Sequence, residues 1–520
     1  MIRPRGETCR GCPCLAAEPS GLRKERRIRL AVGPQQGEPE PKPKETRESE
    51  GPIRATTRAN GGHRSPSSKG DPCREELQEG TMIAATTANT MSPGLLKVRE
   101  RAERDPEGVL LALAHLIDEE ALQRAYRSLR NEAAVGVDGI TKEQYGQDLE
   151  HNVRDLHARM KSMRYRHQPI RRVHIPKERG KTRPIGISCT EDKIVQAAVR
   201  EMLEVIYEPV FRDVSYGFRP GRSAHDALRA LNRMLLGGVE WILEADIESF
   251  FDSIDRTKLM EMLQARVADK SLLRLVGKCL HVGVLDGAEF YAPEDGTVQG
   301  SVLSPLLGNV YLHHVLDLWI EREVQPRLVG KATLIRYADD FIIGFEREDD
   351  AKRVTEVLPR RFERYGLKLH PDKTRLLPFG RPDNGQPGGK GPATFDFLGF
   401  THYWRRSRAG RWMPSMKTRK ARLRRAITAV ADFCRRHRHR PVKEQHAALT
   451  RRIVGHRNYF GVNGNLRSIA LLIRTTERAW HKWLCRRSQR AHLNWKRFQE
   501  LLRDFPLPRP QIRVQIWTSP

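Results

Sequence analysis

The sequence predicts an α+β fold over residues 91–400, followed by an all-α, strongly basic region, on three observations. Apolar residues recur at helical spacing in some segments and alternate or run together in others, with no regular strand–helix repeat. Two apolar runs, Trp241–Ile247 and Ala332–Phe345, are interrupted by carboxylates and read as buried strands. From residue 401 onward, basic helical patterning takes over. At 520 residues and 59.7 kDa the chain exceeds what one hydrophobic core usually organises.

Taken in order, residues 1–90 are rich in Pro, Gly, Glu, Arg and Ser, show no apolar periodicity and are expected to be disordered or a non-native extension. Met82 and Met91 are alternative starts. Cys9, Cys12 and Cys14, with a distant Cys73, lack a second close pair, so no zinc site is expected. Helical spacing begins with Leu113, Leu116 and Ile117 and continues through Leu122, Ala125, Tyr126 and Leu129. Arg164–Ile187 is a basic, Pro-punctuated, strand-like stretch, after which a helix resumes at Glu191–Phe211. Farther on, Leu423, Ile427, Val430 and Cys434 form one apolar stripe on a basic helix. Trp480 with Trp483, and Trp495 with Phe498, are spaced to fill a helical core.

The formal charge of +29 is distributed unevenly. Residues 401–520 hold 30 Lys+Arg against 5 Asp+Glu, whereas residues 91–400 hold 47 of each. Such concentration is the electrostatic footprint of a polyphosphate partner. The longest near-apolar run, Gly108–Ile117, is about half of a spanning helix, and no signal-peptide stretch opens the chain. Eight scattered cysteines suit a reducing compartment. A cytoplasmic protein without a membrane partner is expected, nucleoid-associated when it acts on DNA.

Asp339 and Asp340 stand between LIRY and FIIGF, and Asp246 ends the run WILEA. An ionised carboxylate is costly inside a strand, so the adjacent pair marks a turn between two short buried strands. Three clustered carboxylates repel one another unless cations intervene, and hard oxygen ligands favour Mg2+. Two such ions support in-line phosphoryl displacement, the chemistry of a polymerase.

YADD at Tyr337–Asp340, with Asp246 upstream, resembles the palm of reverse transcriptases. Further segments narrow the resemblance to the reverse transcriptase/maturases of group II introns, bacterial type: AVGVDGIT (134–141), IPKERGKTRPIGI (175–187), YGFRPGRSAHDAL (216–228), ADIESFFDSI (245–254), GTVQGSVLSPLLGNVYLH (296–313), LKLHPDKT (367–374) and FLGF (397–400). The resemblance runs from about Leu95 to Trp517. It implies a right-hand polymerase, with fingers and palm over residues 91–400 and an all-α thumb and maturase RNA-binding region over 401–520.

The resemblance also assigns roles. Asp246, Asp339 and Asp340 would be the catalytic metal ligands for two Mg2+ ions, with the Ile247 carbonyl adding an oxygen. Phe251 would exclude a 2′-hydroxyl. Lys177 and Arg183 would hold the triphosphate, Gln299 and Gly300 would line the nucleotide pocket, and Lys373 would contact phosphate or protonate pyrophosphate. Val298 stands where many relatives have proline, which frees one φ angle and leaves the glutamine and glycine in place. In the basic region Arg451, Arg452, Arg457, Arg474, Arg486, Arg487 and Arg490 can fork onto phosphates, while Tyr459 and Trp483 could stack on unpaired bases. The implied partners are group II intron RNA, an RNA template with a DNA primer, dNTPs and target DNA. Cys434 and Cys485 are isolated, so no endonuclease domain is expected. A non-catalytic splicing cofactor, or a reverse transcriptase of another retroelement or defence system, stays open at this level.

Overall fold

The computed structural model describes residues 91–176, 182–287, 289–291, 296–297, 299–382, 393–488 and 492–517. The expected disorder of residues 1–90, the cysteines there, Lys177, Val298 and Arg490 lie outside the described residues.

Helices α1 (Pro93–Arg104), α2 (Glu119–Ser128) and α3 (Leu149–Lys161) come first among the described residues. The first two are capped by Ser92 and Asp118, whose side chains accept backbone N–H bonds. They pack on α4 (Thr190–Tyr207), whose Ile194, Val195, Val199, Leu203 and Ile206 are buried. Strands β1 (Ile170–Pro176) and β2 (Thr182–Ile187) form an antiparallel ribbon in the stretch expected to be extended. With β4 (Val284–Asp286) and β5 (Glu289–Tyr291) they make a sheet of order β2-β1-β4-β5.

A second four-stranded sheet, order β6-β7-β3-β8, carries the acids. Its strands are β3 (Trp241–Ala245), β6 (Ala332–Tyr337), β7 (Asp340–Phe345) and β8 (Arg375–Pro378). Leu334, Phe341, Ile343 and Phe345 bury one face into the large core that includes α4, α6 (Arg256–Gln264), α7 (Lys270–Leu280) and α8 (Ser304–Leu312). Ile242, Ile335 and Ile342 bury the other face against α5 (Ala224–Leu236) and Phe395, Phe397 and Phe400. Burial on both faces explains why these strands read as continuous apolar runs.

The region after residue 400 departs from the all-α expectation at its start. Strand β10 (Phe400–Arg406) pairs with β9 (Phe395–Phe397) and, as a hairpin, with β11 (Trp412–Thr418); helices begin only at α9 (Lys420–Arg436). Residue 400 therefore falls inside a sheet, and the apolar cluster beneath it joins α5 to Phe460, Ile469 and Ile516. One core thus runs across the boundary expected at 400/401. Helices α10 (Val442–Phe460), α11 (Leu466–Leu484) and α12 (Trp495–Asp504) complete the chain. Val430 and Cys434 of the expected stripe are buried with Phe433, and Trp480 and Phe498 fill the helical core. Among the described residues, no helix is long and apolar enough to cross a membrane.

His402 on β10 gives the fold a measurable acid sensitivity. It is 2% exposed, stacks on Phe395 with ring centroids 4.8 Å apart, and its Nε2 has no hydrogen-bond partner. Burial pushes its pKa down from 6.5 to about 3. The proton is then taken up only on unfolding, so stability is lost as pH falls below the unfolded value of about 6.5. Compared with the His402→Leu variant, the wild type is expected to lose ~1.4 kcal/mol more per pH unit between about pH 6 and 4. Denaturant titrations of both proteins at each pH check this, and parallel curves refute it.

Candidate active site and nucleic-acid surface

The antiparallel register Ala245↔Phe341 between β3 and β7 places Asp246 and Asp340 at the same end of neighbouring strands. Asp339 joins them from the β6–β7 hairpin, whose closing pair is Tyr337↔Asp340. Its two-residue loop has φ +57° at Ala338, the II′ pattern that suits right-twisted strands. The β7–β3 pairing thus brings together acids that stand far apart in the sequence.

Their electrostatics are strongly coupled. Burial first, then the Asp246 charge, raises the Asp339 pKa, while Arg183 and Lys373 lower it. Asp340 opens onto the cleft, yet the crowding protein and then Asp339 and Asp246 push it up to about 7. Asp246 is held by Lys373, whose Nζ donates to Oδ2 at 2.5 Å. Among the described residues no group of three or more His, Cys, Asp or Glu side chains is already arranged to hold a metal ion, the three aspartates included. The carboxylates nonetheless fit divalent ions: they are hard donors, mutually repulsive, and one already recruits an ammonium as a stand-in cation. In this structure the Lys373 ammonium is thereby paired with a carboxylate. The Ile247 backbone adjoins Asp246 and forms an antiparallel bridge with Leu369, which fixes the end of β3.

Phe251 lies on the one-turn helix Phe250–Asp252, its ring 5.1 Å from that of Phe250 and above Gly308, where a Cβ would come within 3.3 Å of it. The 296–300 loop is stitched to this turn: Gly296 N–H donates to Ile254 O at 2.9 Å, and Thr297 N–H donates to Phe251 O at 2.6 Å. The same loop meets the fingers ribbon. Gly186 N–H donates to Gln299 O at 2.7 Å, and Gly300, at φ +107°, has Gly186 O within 2.5 Å of where a Cβ would stand. Glycine at 300 is therefore required by protein packing, whereas the sequence reading attributed it to a bound nucleotide. Arg183 on β2 is half-buried, and its charge acts on Asp339 and Asp252. The site therefore gathers Asp246, Asp339, Asp340, Lys373 and Arg183, with Phe251, Gln299 and Gly300 on one continuous loop system.

The residues expected to contact RNA fall into an exposed set and a set engaged with the protein itself. Arg451, Arg474 and Arg486 are exposed. Arg452 instead lies over the Phe433 ring at 4.2 Å, Arg457 donates to Arg509 O at 3.2 Å, and Arg487 donates through Nε to Arg438 O at 2.6 Å. Arg457 and Arg487 thus satisfy backbone carbonyls of their own domain, and Arg452 covers an aromatic face. Tyr459 is not free to stack on a base. Its ring packs against His225 and Phe400, its hydroxyl donates to Leu398 O at 2.9 Å, and burial raises its pKa. A residue the sequence reading missed is Arg422 in the first turn of α9, whose charge reaches Asp340. Its signal was the basic run at the helix start.

The reverse transcriptase (RNA-dependent DNA polymerase) family matches residues 175–402, which span the fingers ribbon, the acid-bearing sheet and β10. Protein YkfC of Escherichia coli (strain K12) is 33% identical over 320 residues, 54% of this chain and 83% of that protein. The group II intron-encoded protein LtrA of Lactococcus lactis subsp. cremoris is 38% identical over 211 residues, 39% of this chain and 35% of LtrA. This chain belongs to the group II intron reverse transcriptase/maturase family. It is also 27% identical over 231 residues, 37% of this chain and 30% of the relative, to nuclear intron maturase 2, mitochondrial, of Arabidopsis thaliana. The chain thus spans about a third of the length of the lactococcal relative. Within the family match lie all three acids, Phe251, Arg183, Gln299, Gly300 and Lys373.

Proposed function

We propose that this reverse transcriptase-family chain polymerises DNA on an RNA template and binds the RNA of its parent group II intron, assisting splicing and mobility. The observation that carries the reading is the meeting of Asp246 with the Asp339–Asp340 turn on adjacent strands, inside the family match. Asp246, Asp339, Asp340 and the Ile247 carbonyl would hold two Mg2+ ions. When bound, these would activate the primer hydroxyl and neutralise the leaving pyrophosphate.

The chain's own side chains do the rest. Asp339 and Asp340 must be ionised to serve as ligands, and burial together with the neighbouring carboxylates works against that by raising both pKa values, which a bound cation would offset. Lys373 pairs with Asp246, and its ammonium would become available to the phosphates if Mg2+ were bound to that carboxylate. Arg183 would offer charge to the triphosphate from the fingers side, the role also expected of Lys177. The Phe251 ring, pinned by Phe250 and the helix at Gly308, would stand below the sugar and leave no room for a 2′-hydroxyl. Replacing Phe251 with alanine is expected to raise ribonucleotide incorporation relative to deoxynucleotide by roughly 10- to 100-fold. Single-nucleotide extension with each triphosphate measures the ratio, and an unchanged ratio removes the sugar-gate role.

Exposed Arg451, Arg474 and Arg486 would contact RNA phosphates, and Arg422 would meet the template–primer duplex near the acids. Intron RNA, template–primer, dNTPs and target DNA are the proposed partners. A non-catalytic splicing cofactor is the rival reading. Primer extension on an RNA template with Mg2+ decides between them: incorporation by the intact protein supports the polymerase, and complete silence with RNA binding intact supports the cofactor.

A further inference from the structure

The acid-bearing turn is held from behind by a buried polar network for which packing gives no reason. Arg336, the residue before Tyr337, is fully buried. Its guanidinium forms a bidentate pair with Asp317, through Nε at 2.8 Å and Nη2 at 2.6 Å. The remaining nitrogen, Nη1, donates to Asn309 Oδ1 at 2.9 Å and to the Ala338 carbonyl at 3.1 Å. Asn309, itself 1% exposed, donates onward through Nδ2 to Gly217 O at 2.7 Å. Asp317 reaches the pair from a π-helical turn, His313–Asp317, that continues α8; such widened turns are common at functional sites.

Four elements therefore converge on one residue in an uncommon conformation. Ala338 has φ +57°, which a side-chain-bearing residue adopts at a cost and keeps only where its surroundings impose it. Gly217 packs so closely that a Cβ there would lie 2.4 Å from the Ala338 nitrogen. The backbone contributes as well, since Arg336 N–H donates to Val214 O at 2.8 Å and Tyr216 N–H donates to Arg336 O at 2.9 Å. A buried ion pair of this kind is often replaceable by well-packed apolar residues with no loss of stability. Its special content is the one guanidinium nitrogen spent on the turn.

We propose that Arg336, buttressed by Asp317 and Asn309, is a positioning residue that holds Ala338 in its positive-φ conformation and so aims Asp339 and Asp340 into the cleft. The inference rests on the proposed role of those acids as ligands; Arg336 touches neither substrate nor reacting atoms.

The experiment uses the full chain. Arg336→Met combined with Asp317→Leu removes the pair without leaving an unpaired buried charge, and Asn309→Leu tests the buttress separately. In the double variant, primer-extension kcat is expected to fall about 10²-fold, as for a displacement on the ångström scale. The half-saturating Mg2+ concentration should rise, with KM for template–primer unchanged. Deuterium exchange in metal-free protein should accelerate in the peptide spanning residues 334–342 while the rest of the sheet stays protected. Adding Ala338→Gly, whose glycine takes positive φ unaided, should restore most of the kcat and the Mg2+ response. Wild-type turn exchange in the double variant overturns the proposal, as does a loss that Ala338→Gly fails to rescue. Should the double variant not fold, Asn309→Leu carries the same readouts. An intact protein with no polymerase activity would refute the functional reading alone, because the exchange measurement decides the positioning claim without it.

Discussion

Replacing Asp339 by alanine is expected to reduce RNA-templated primer extension by at least about 10³-fold, since an interaction made in the transition state and worth several kcal/mol is lost. Binding of intron RNA should stay within about twofold of wild type. Asp339 is on the hairpin end of the sheet, whereas the exposed arginines lie on α10, α11 and the segment that follows. The fold should tolerate the change: removing one of three repelling carboxylates relieves charge, because Asp246 and Asp339 both raise the pKa of Asp340. In the variant, Asp340 should therefore ionise at lower pH than its value of about 7. Extension assays and filter binding on the same preparation check both halves. Undiminished extension would end the assignment of the acids, and RNA binding lost in step with activity would point to misfolding.

The second large effect concerns salt. With 30 Lys+Arg against 5 Asp+Glu over residues 401–520, binding of structured RNA should be dominated by counterion release. If roughly ten phosphates are neutralised, affinity should fall by about 10³ to 10⁵ between roughly 50 and 200 mM monovalent salt. The structure sharpens this into a contrast among arginines. Arg451→Ala, Arg474→Ala and Arg486→Ala should each weaken binding and lower the magnitude of the salt slope by about 1, one phosphate contact apiece. Arg487→Ala should act through stability, because its guanidinium is spent on the carbonyls of Arg438 and Arg440. Affinity as a function of salt, alongside Tm, distinguishes the two classes. A shallow slope for the wild type would mean that the charge serves something other than a polyphosphate.

Much of the acid-bearing end of the sheet is legible in the sequence. Adjacent aspartates between two apolar runs have few physical explanations, and a hairpin turn facing solvent is the least costly one. The β3 run and the β6–β7 hairpin fall where their apolar runs place them, because strands buried on both faces leave a continuous hydrophobic record. Arg336 left a record too, as a lone charge within the apolar LIRY, but its partner Asp317 lies 19 positions away and carries no local sign of the pairing. The β10–β11 hairpin was obscured by its charge: Arg405, Arg406, Arg408 and Arg411 crowd its exposed end and resemble the basic helices that follow.

Tyr459 and Arg457 illustrate the deeper division. Composition concentrated positive charge in the last quarter of the chain, and that concentration alone argues for a nucleic-acid partner, because net charge is a property of residue types. Which arginines face water depends on which helix faces are covered, and that depends on contacts such as His225 with the Tyr459 carbonyl, more than two hundred residues apart. The chemistry of the acids was likewise written locally, in residue type and neighbouring pattern. Their meeting was decided only by the antiparallel register of β3 with β7, since long-range pairing is chosen by the burial of whole faces at once and leaves no mark at either position alone.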